Sequence, residues 1–136
     1  MAFRLANPLA GSGAHIIQAT TDGSTAITRG ALLYVDESVA GGGRARPADS
    51  SAETTVTVLL IARQTIASSA TSIQCYVVDS SQLWEVDCAA DTAATHKLKI
   101  HDMSTSLLLD NTATTDSTTN GVFMMLDFVG ATTDRR

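Results

Sequence analysis

The residues with chemistry to offer in this sequence are three histidines, two cysteines and scattered carboxylates. His101 precedes Asp102, but neighbours along a strand point to opposite faces, so this carboxylate cannot orient that imidazole as a hydrolytic triad requires. His96 falls in phase with Leu98 and Ile100 and is expected on an inner face as a half-buried, hydrogen-bonded ring. His101 is expected outward, beside Lys97 and Lys99. Asp36 and Glu37 are adjacent, and Glu85 and Asp87 share one face of a strand. Neither pair has the contrasting environments that set two carboxyls apart as acid and base. Gly11-Ser12-Gly13 and Gly41-Gly42-Gly43 do not stand between a strand and a helix N-terminus, so aligned amides for a phosphate are lacking. No GxSxG, GxxxxGK[ST] or HExxH is present. Asp110, Asn111 and Asp116 offer oxygen atoms without EF-hand spacing. Catalytic, cofactor-binding and metal-ligating residues are therefore expected to be absent, and the chain is read as no enzyme.

Cys75 and Cys88 form no CxxC and have no histidine at zinc-site spacing. With a loop at residues 80–83 they would face each other across a hairpin. With a loop at 80–81 they would sit diagonally, about 7–8 Å apart, beyond usual disulfide reach. Free, buried thiols are expected. Trp84, the single tryptophan, is read as core against Val77 and Val86 before it is read as a stacking platform for a ligand.

The elements that would carry these residues are short. The chain has 136 residues, 44% hydrophobic but only 4% aromatic, with a net charge of −5. That length suits one domain. Ser and Thr make up about a quarter of the chain, which favours strands and turns over helix interiors. The negative charge and scattered basic residues argue against nucleic acid as a partner. Apolar runs such as residues 58–62 fall far short of a membrane span, and residues 1–9 lack the apolar core of a secretion signal. Cytoplasmic synthesis and no membrane contact are expected.

Strands are expected at residues 15–19, 31–35, 54–63, 72–79, 82–89, 95–102, 106–110 and 122–129. Asp22-Gly23 and Asn120-Gly121 mark turns, and Gly41-Gly42-Gly43 with residues 47–50 encloses a loop. Strand 31–35 is apolar throughout and strand 54–63 becomes so, the pattern of strands covered on both faces. Residues 72–79 and 82–89 read as a hairpin with Cys75, Val77, Trp84, Val86 and Cys88 on one face. Residues 89–94 are too short for a stable helix. The expected fold is all-β, a single small β-barrel or β-sandwich over residues 14–136 with an extended N-terminal arm at 1–13, a segment without strand period.

Several segments together carry a resemblance: Gly-Ala-Leu-Leu-Tyr-Val-Asp at 30–36, the Gly-rich turn after it and Arg-Pro-Ala-Asp-Ser at 46–50. The strand at 54–63, the 72–88 hairpin around Trp84, Asn-Gly-Val-Phe at 120–123 and Gly-Ala-Thr-Thr-Asp at 130–134 complete it. This pattern, spanning the chain from residue 29 on, resembles the capsid decoration (cement) proteins of tailed bacteriophages. The resemblance implies a homotrimer on the capsid exterior of the virion, near three-fold positions, with the major capsid protein as partner. It implies an arm reaching onto the coat protein, with Phe3, Leu5 and Leu9 as apolar anchors and Arg4 as a charge contact. A glycan-binding β-module of a virion fibre is the alternative, and would need exposed aromatics. A trimeric β-enzyme of nucleotide metabolism would need paired acidic and Gly-rich motifs, which are not found.

Overall fold

The structure, a computed structural model, describes residues 3–8, 15–38, 40–48, 58–79, 82–111, 123–125 and 127. The fold is all-β. In chain order the strands are β1 (Arg4–Pro8), β2 (Ile16–Thr20), β3 (Leu32–Asp36), β4 (Arg44–Pro47), β5 (Leu59–Ala62), β6 (Ser72–Val77), β7 (Gln82–Glu85) and β8 (Asp87–Cys88). A 3-10 turn at Ala94–His96 precedes β9 (Ile100–Thr105), β10 (Leu108–Asp110) and β11 (Phe123–Met124).

A five-stranded antiparallel sheet, ordered β2-β6-β5-β3-β4, forms the centre. Its inner strands are apolar because both faces are covered. Leu33, Leu60, Ala62, Ile73 and Cys75 point into one core with Ile27, Ala31, Ala45 and Ile66. Leu32 and Ile61 point into a second core with Phe3, Ala48, Cys88, Met103, Leu109 and Met125. Each large side chain buried here contributes about 1.5–3 kcal/mol. A four-stranded sheet, β11-β9-β10-β8, supplies the cover for the second face; β8 and β10 run parallel, the other pairs antiparallel. Around the first core the five-stranded sheet curls until β2 and β4 approach within 8 Å between Cα atoms. It does not close into a barrel, since β2 pairs only β6 and β4 only β3 among the described residues. Arg46 spans this seam, 3.7 Å from Asp22 and 3.2 Å from Asp36. Hydrogen bonds from Ser24 and from Ser38, with Arg46 adding to them, hold the Asp22 and Asp36 carboxyls below the ordinary carboxylate range.

Four expectations are corrected. β4 lies where a loop was expected: Gly41 and Gly42 adopt φ of +91° and +111°, turning the chain tightly enough for residues 44–47 to pair back on β3. Pro47 sits at the end of this edge strand, where its missing N–H costs no ladder bond. The 72–89 hairpin does not form. β6 already has β2 and β5 as partners, and β7 pairs β1 instead. Trp84, Val86 and Cys88 accordingly join the second core, while Cys75 and Val77 belong to the first. The strand at 95–102 has the opposite phase: the 3-10 turn shifts the register, His101 and Met103 are buried, and Leu98 and Ile100 face out. A one-residue slip exchanges every inward and outward side chain. Finally, residues 3–8 do not stand apart as an arm. β1 is paired to β7 and Phe3 is 5% exposed in the second core. The expected strands at 54–57 and 128–129 lie outside the described residues.

Candidate contact surface

Of the residues expected to contact a capsid, Arg4 and Leu5 lie on the two-stranded ribbon β1–β7. Arg4 stands opposite Glu85, Leu5 opposite Trp84, Asn7 opposite Leu83 and Pro8 opposite Gln82, with a bulge between Leu5 and Asn7. Phe3 is not an outward anchor: its ring lies 5.1 Å from that of Phe123 and its N–H donates to the Gly30 carbonyl at 2.9 Å. Leu9 lies outside the described residues. On β7, Leu83 is exposed and Trp84 half-buried. The Trp84 ring sits 5.9 Å from Tyr76, over which the Arg63 guanidinium stacks at 5.0 Å. Trp84 Nε1–H donates to Gln82 Oε1 at 3.2 Å. The indole therefore covers core with one side and leaves a limited rim to solvent.

A second surface is formed by residues that the expected phase of strand 95–102 places inside and by a neighbour on β11. Leu98, Ile100 and Met124 are 70%, 38% and 52% exposed. Ile100 and Met124 are direct cross-strand partners of β9 and β11. Leu98 is held beside them through its N–H, which donates to the Met125 carbonyl at 2.6 Å. Its φ of +58° is left-handed, a conformation that costs a leucine roughly 1–2 kcal/mol. Leu98 is thus a bulky apolar residue that both bears backbone strain and stands in water. Lys97 and Asp127 form an ion pair next to it. The signal available in the sequence was Met103, which continues the phase of His101 and so competes with the Leu98–Ile100 phase.

Beneath this surface lies a polar cluster. Asn111, fully buried, accepts from Ala90 N–H at 2.8 Å and donates to the Ala90 and Asp91 carbonyls at 2.9 and 3.2 Å. His96 Nδ1 accepts from Ala93 N–H at 3.1 Å. The His101 ring packs edge-on to His96 at 6.0 Å. These bonds go to main chain or to another member of the group, which suits a device that shapes the 89–97 loop. Among the described residues no group of three or more His, Cys, Asp or Glu side chains could hold a metal ion. Of the oxygen loop considered from the sequence, Asp110 ends β10, Asn111 is committed to the 89–97 loop, and Asp116 lies outside the described residues.

Cys75 and Cys88 are free and buried, on opposite faces of the central sheet. Burial pushes each thiol up to about 11; Asp87 adds to the effect at Cys88.

These features define an all-β protein whose surface offers an apolar, strained rim on a rigid two-layer frame. Comparison with protein-family models, with curated proteins and with solved structures finds no match to this chain. No helix among the described residues is long and apolar enough to cross a membrane.

Proposed function

We propose that the chain is a capsid decoration (cement) subunit of a tailed phage, binding the outer surface of the head as a homotrimer and stabilising the coat-protein lattice. The observation that carries this reading is the Leu98–Ile100–Met124 surface: two large apolar side chains exposed on paired strands and a third exposed in the turn that leads into β9. Such a patch fits a protein–protein contact better than a free surface. The resemblance, which spans the chain from about residue 29, supplies the partner class; His96 and His101 are engaged with main-chain groups and both thiols are buried. The contact is assigned to the β9–β11 rim, together with Arg4 and Leu5 of β1, while Phe3 serves the fold. The partner is the major capsid protein, with no nucleic acid and no membrane involved.

The test is a sedimentation assay with undecorated heads. The purified chain is expected to pellet with heads saturably and to raise the temperature at which they release DNA. Failure to bind, combined with binding to immobilised glycans, would replace this reading with the glycan-binding alternative, for which the Tyr76–Trp84 pair beside Arg63 would be the platform.

A further inference from the structure

The second face of the five-stranded sheet is covered only in part. Leu32 and Ile61 on that face lie in the second core, and Tyr76, the cross-strand partner of Ile61, is half-buried against them. Residues two apart on a strand share a face. Gln74 of β6 and its partner Gln18 of β2 therefore continue the same surface, with Ile16 opposite Tyr76. Ile16, Gln18 and Gln74 are all exposed. Trp84 stands at the border of this open strip, its ring 5.9 Å from Tyr76 and tilted 55° to it. Arg63, which follows β5, lies on the strip as well. Its main-chain N–H donates to the Gln74 carbonyl at 2.9 Å, its Nη1–H donates to Gln74 Oε1 at 3.2 Å, and its guanidinium lies over the Tyr76 ring at 5.0 Å. A stack and an amide thus hold this group in place, and among the described residues no carboxylate pairs with it. The rest of its N–H fork is left for an acceptor from outside.

We propose that this strip binds an acidic glycan, one carrying uronic or sialic acid units, with Arg63 receiving the sugar carboxylate. A planar guanidinium meets a carboxylate through two parallel N–H bonds, and one already fixed by Tyr76 and Gln74 loses little freedom on binding. The Gln18 and Gln74 amides bring both donors and acceptors to ring hydroxyls. Ile16 and the exposed rim of Trp84 give apolar surface to the C–H side of a sugar ring. An acidic peptide fits this surface less well. Of the described residues on the strip only Arg63 is cationic, and the chain's net charge of −5 opposes a run of carboxylates. Trp84 leads into β8, at the opposite edge of the four-stranded sheet from β11. The site is thus separate from the apolar rim, and the inference holds whether or not the chain decorates a head.

Retention of the full chain on immobilised polygalacturonate and on immobilised sialyllactose, with lactose, dextran and polyglutamate as comparisons, tests it. The expected result is retention on at least one of the two acidic glycans and on none of the comparisons. Arg63→Gln should weaken that retention about tenfold or more, the effect of losing a charge-assisted bond. Gln74→Glu leaves Arg63 in place but offers it a carboxylate from within the chain. Gln74 is exposed, so this variant keeps the fold and should lose retention as well. No retention on either acidic glycan, equal retention on the neutral ones, or equal retention on polyglutamate overturns the proposal. So does retention at the parent's level by either variant. Head sedimentation is scored on its own, so a negative result here leaves the decoration reading standing, and the reverse.

Discussion

Phe3 and Leu98 are the two residues whose roles differ most from their chain positions. Phe3 stands near the start of the sequence, yet it contacts Phe123 and fills the second core. Phe3→Ala should therefore destabilise the subunit by about 3 kcal/mol, the usual cost of emptying a buried aromatic site, seen as a lower urea midpoint. A variant as stable as the parent would restore the reading of residues 1–13 as a detachable arm. The thiols give a second residue-scale prediction. Because burial raises both to about 11 from an ordinary value of 9, the folded state keeps its protons where the unfolded state loses them. The thiol contribution to stability is thus fully present below pH 9 and is lost as pH rises from there toward 11. Native protein should react slowly with a thiol reagent at pH 8 and release two equivalents on unfolding. Rapid native labelling of either cysteine would contradict the burial.

At the scale of elements, turns decide where strands fall. Gly42 has φ of +111°, and a Cβ added there would meet only Arg44 Nη1, at 3.9 Å, so a side chain at this position brings backbone strain and no clash. Gly42→Val should cost on the order of 1–3 kcal/mol and weaken the β3–β4 pairing; calorimetry showing an unchanged melting temperature would dismiss this account of β4. Leu98 gives the converse case. Leu98→Gly relieves a left-handed leucine and should raise stability by about 1 kcal/mol, while removing the most exposed member of the apolar rim. The pair of readouts is diagnostic: a more stable protein that binds heads less well fits the proposed function, whereas unaltered head binding removes Leu98 from the contact.

At the scale of the whole molecule, two cores share one sheet, and the apolar rim lies at the β9–β11 side of the second layer. We expect a homotrimer in solution or on the head. Sedimentation equilibrium at micromolar concentration should give three times the chain mass; a monomer under those conditions restricts trimerisation to the capsid surface. The revised place of β1 changes what a truncation means. Removing residues 1–8 takes away the partner of β7 and the Phe3 side chain together, so such a truncation tests folding before it tests attachment.

Much of this architecture was legible from local pattern. Period-two alternation, uniformly apolar segments and glycine-marked turns located β2, β3, β5 and β6, and the uninterrupted apolar run at 31–35 announced a strand buried on both faces. These are properties a strand carries in its own residues. Pairing is not such a property. β6 and β7 are adjacent and complementary in pattern, but β6 found its partners in β2 and β5, and β7 took β1, because the second face of the sheet required a cover that Trp84 and Cys88 could supply. Phase was likewise undecided locally: residues 97–103 alternate equally well in two registers, one hiding Leu98 and Ile100, the other His101 and Met103. The 3-10 turn at Ala94–His96 and the placement of the His101 ring between the Asp110 and His96 carbonyls selected the second, since burying that ring beside polar partners and Met103 with the core outweighed exposing a leucine and an isoleucine. The exposed apolar rim was therefore illegible in the sequence for a physical reason: Leu98 and Ile100, which join Met124 there, are the residues that lost this competition.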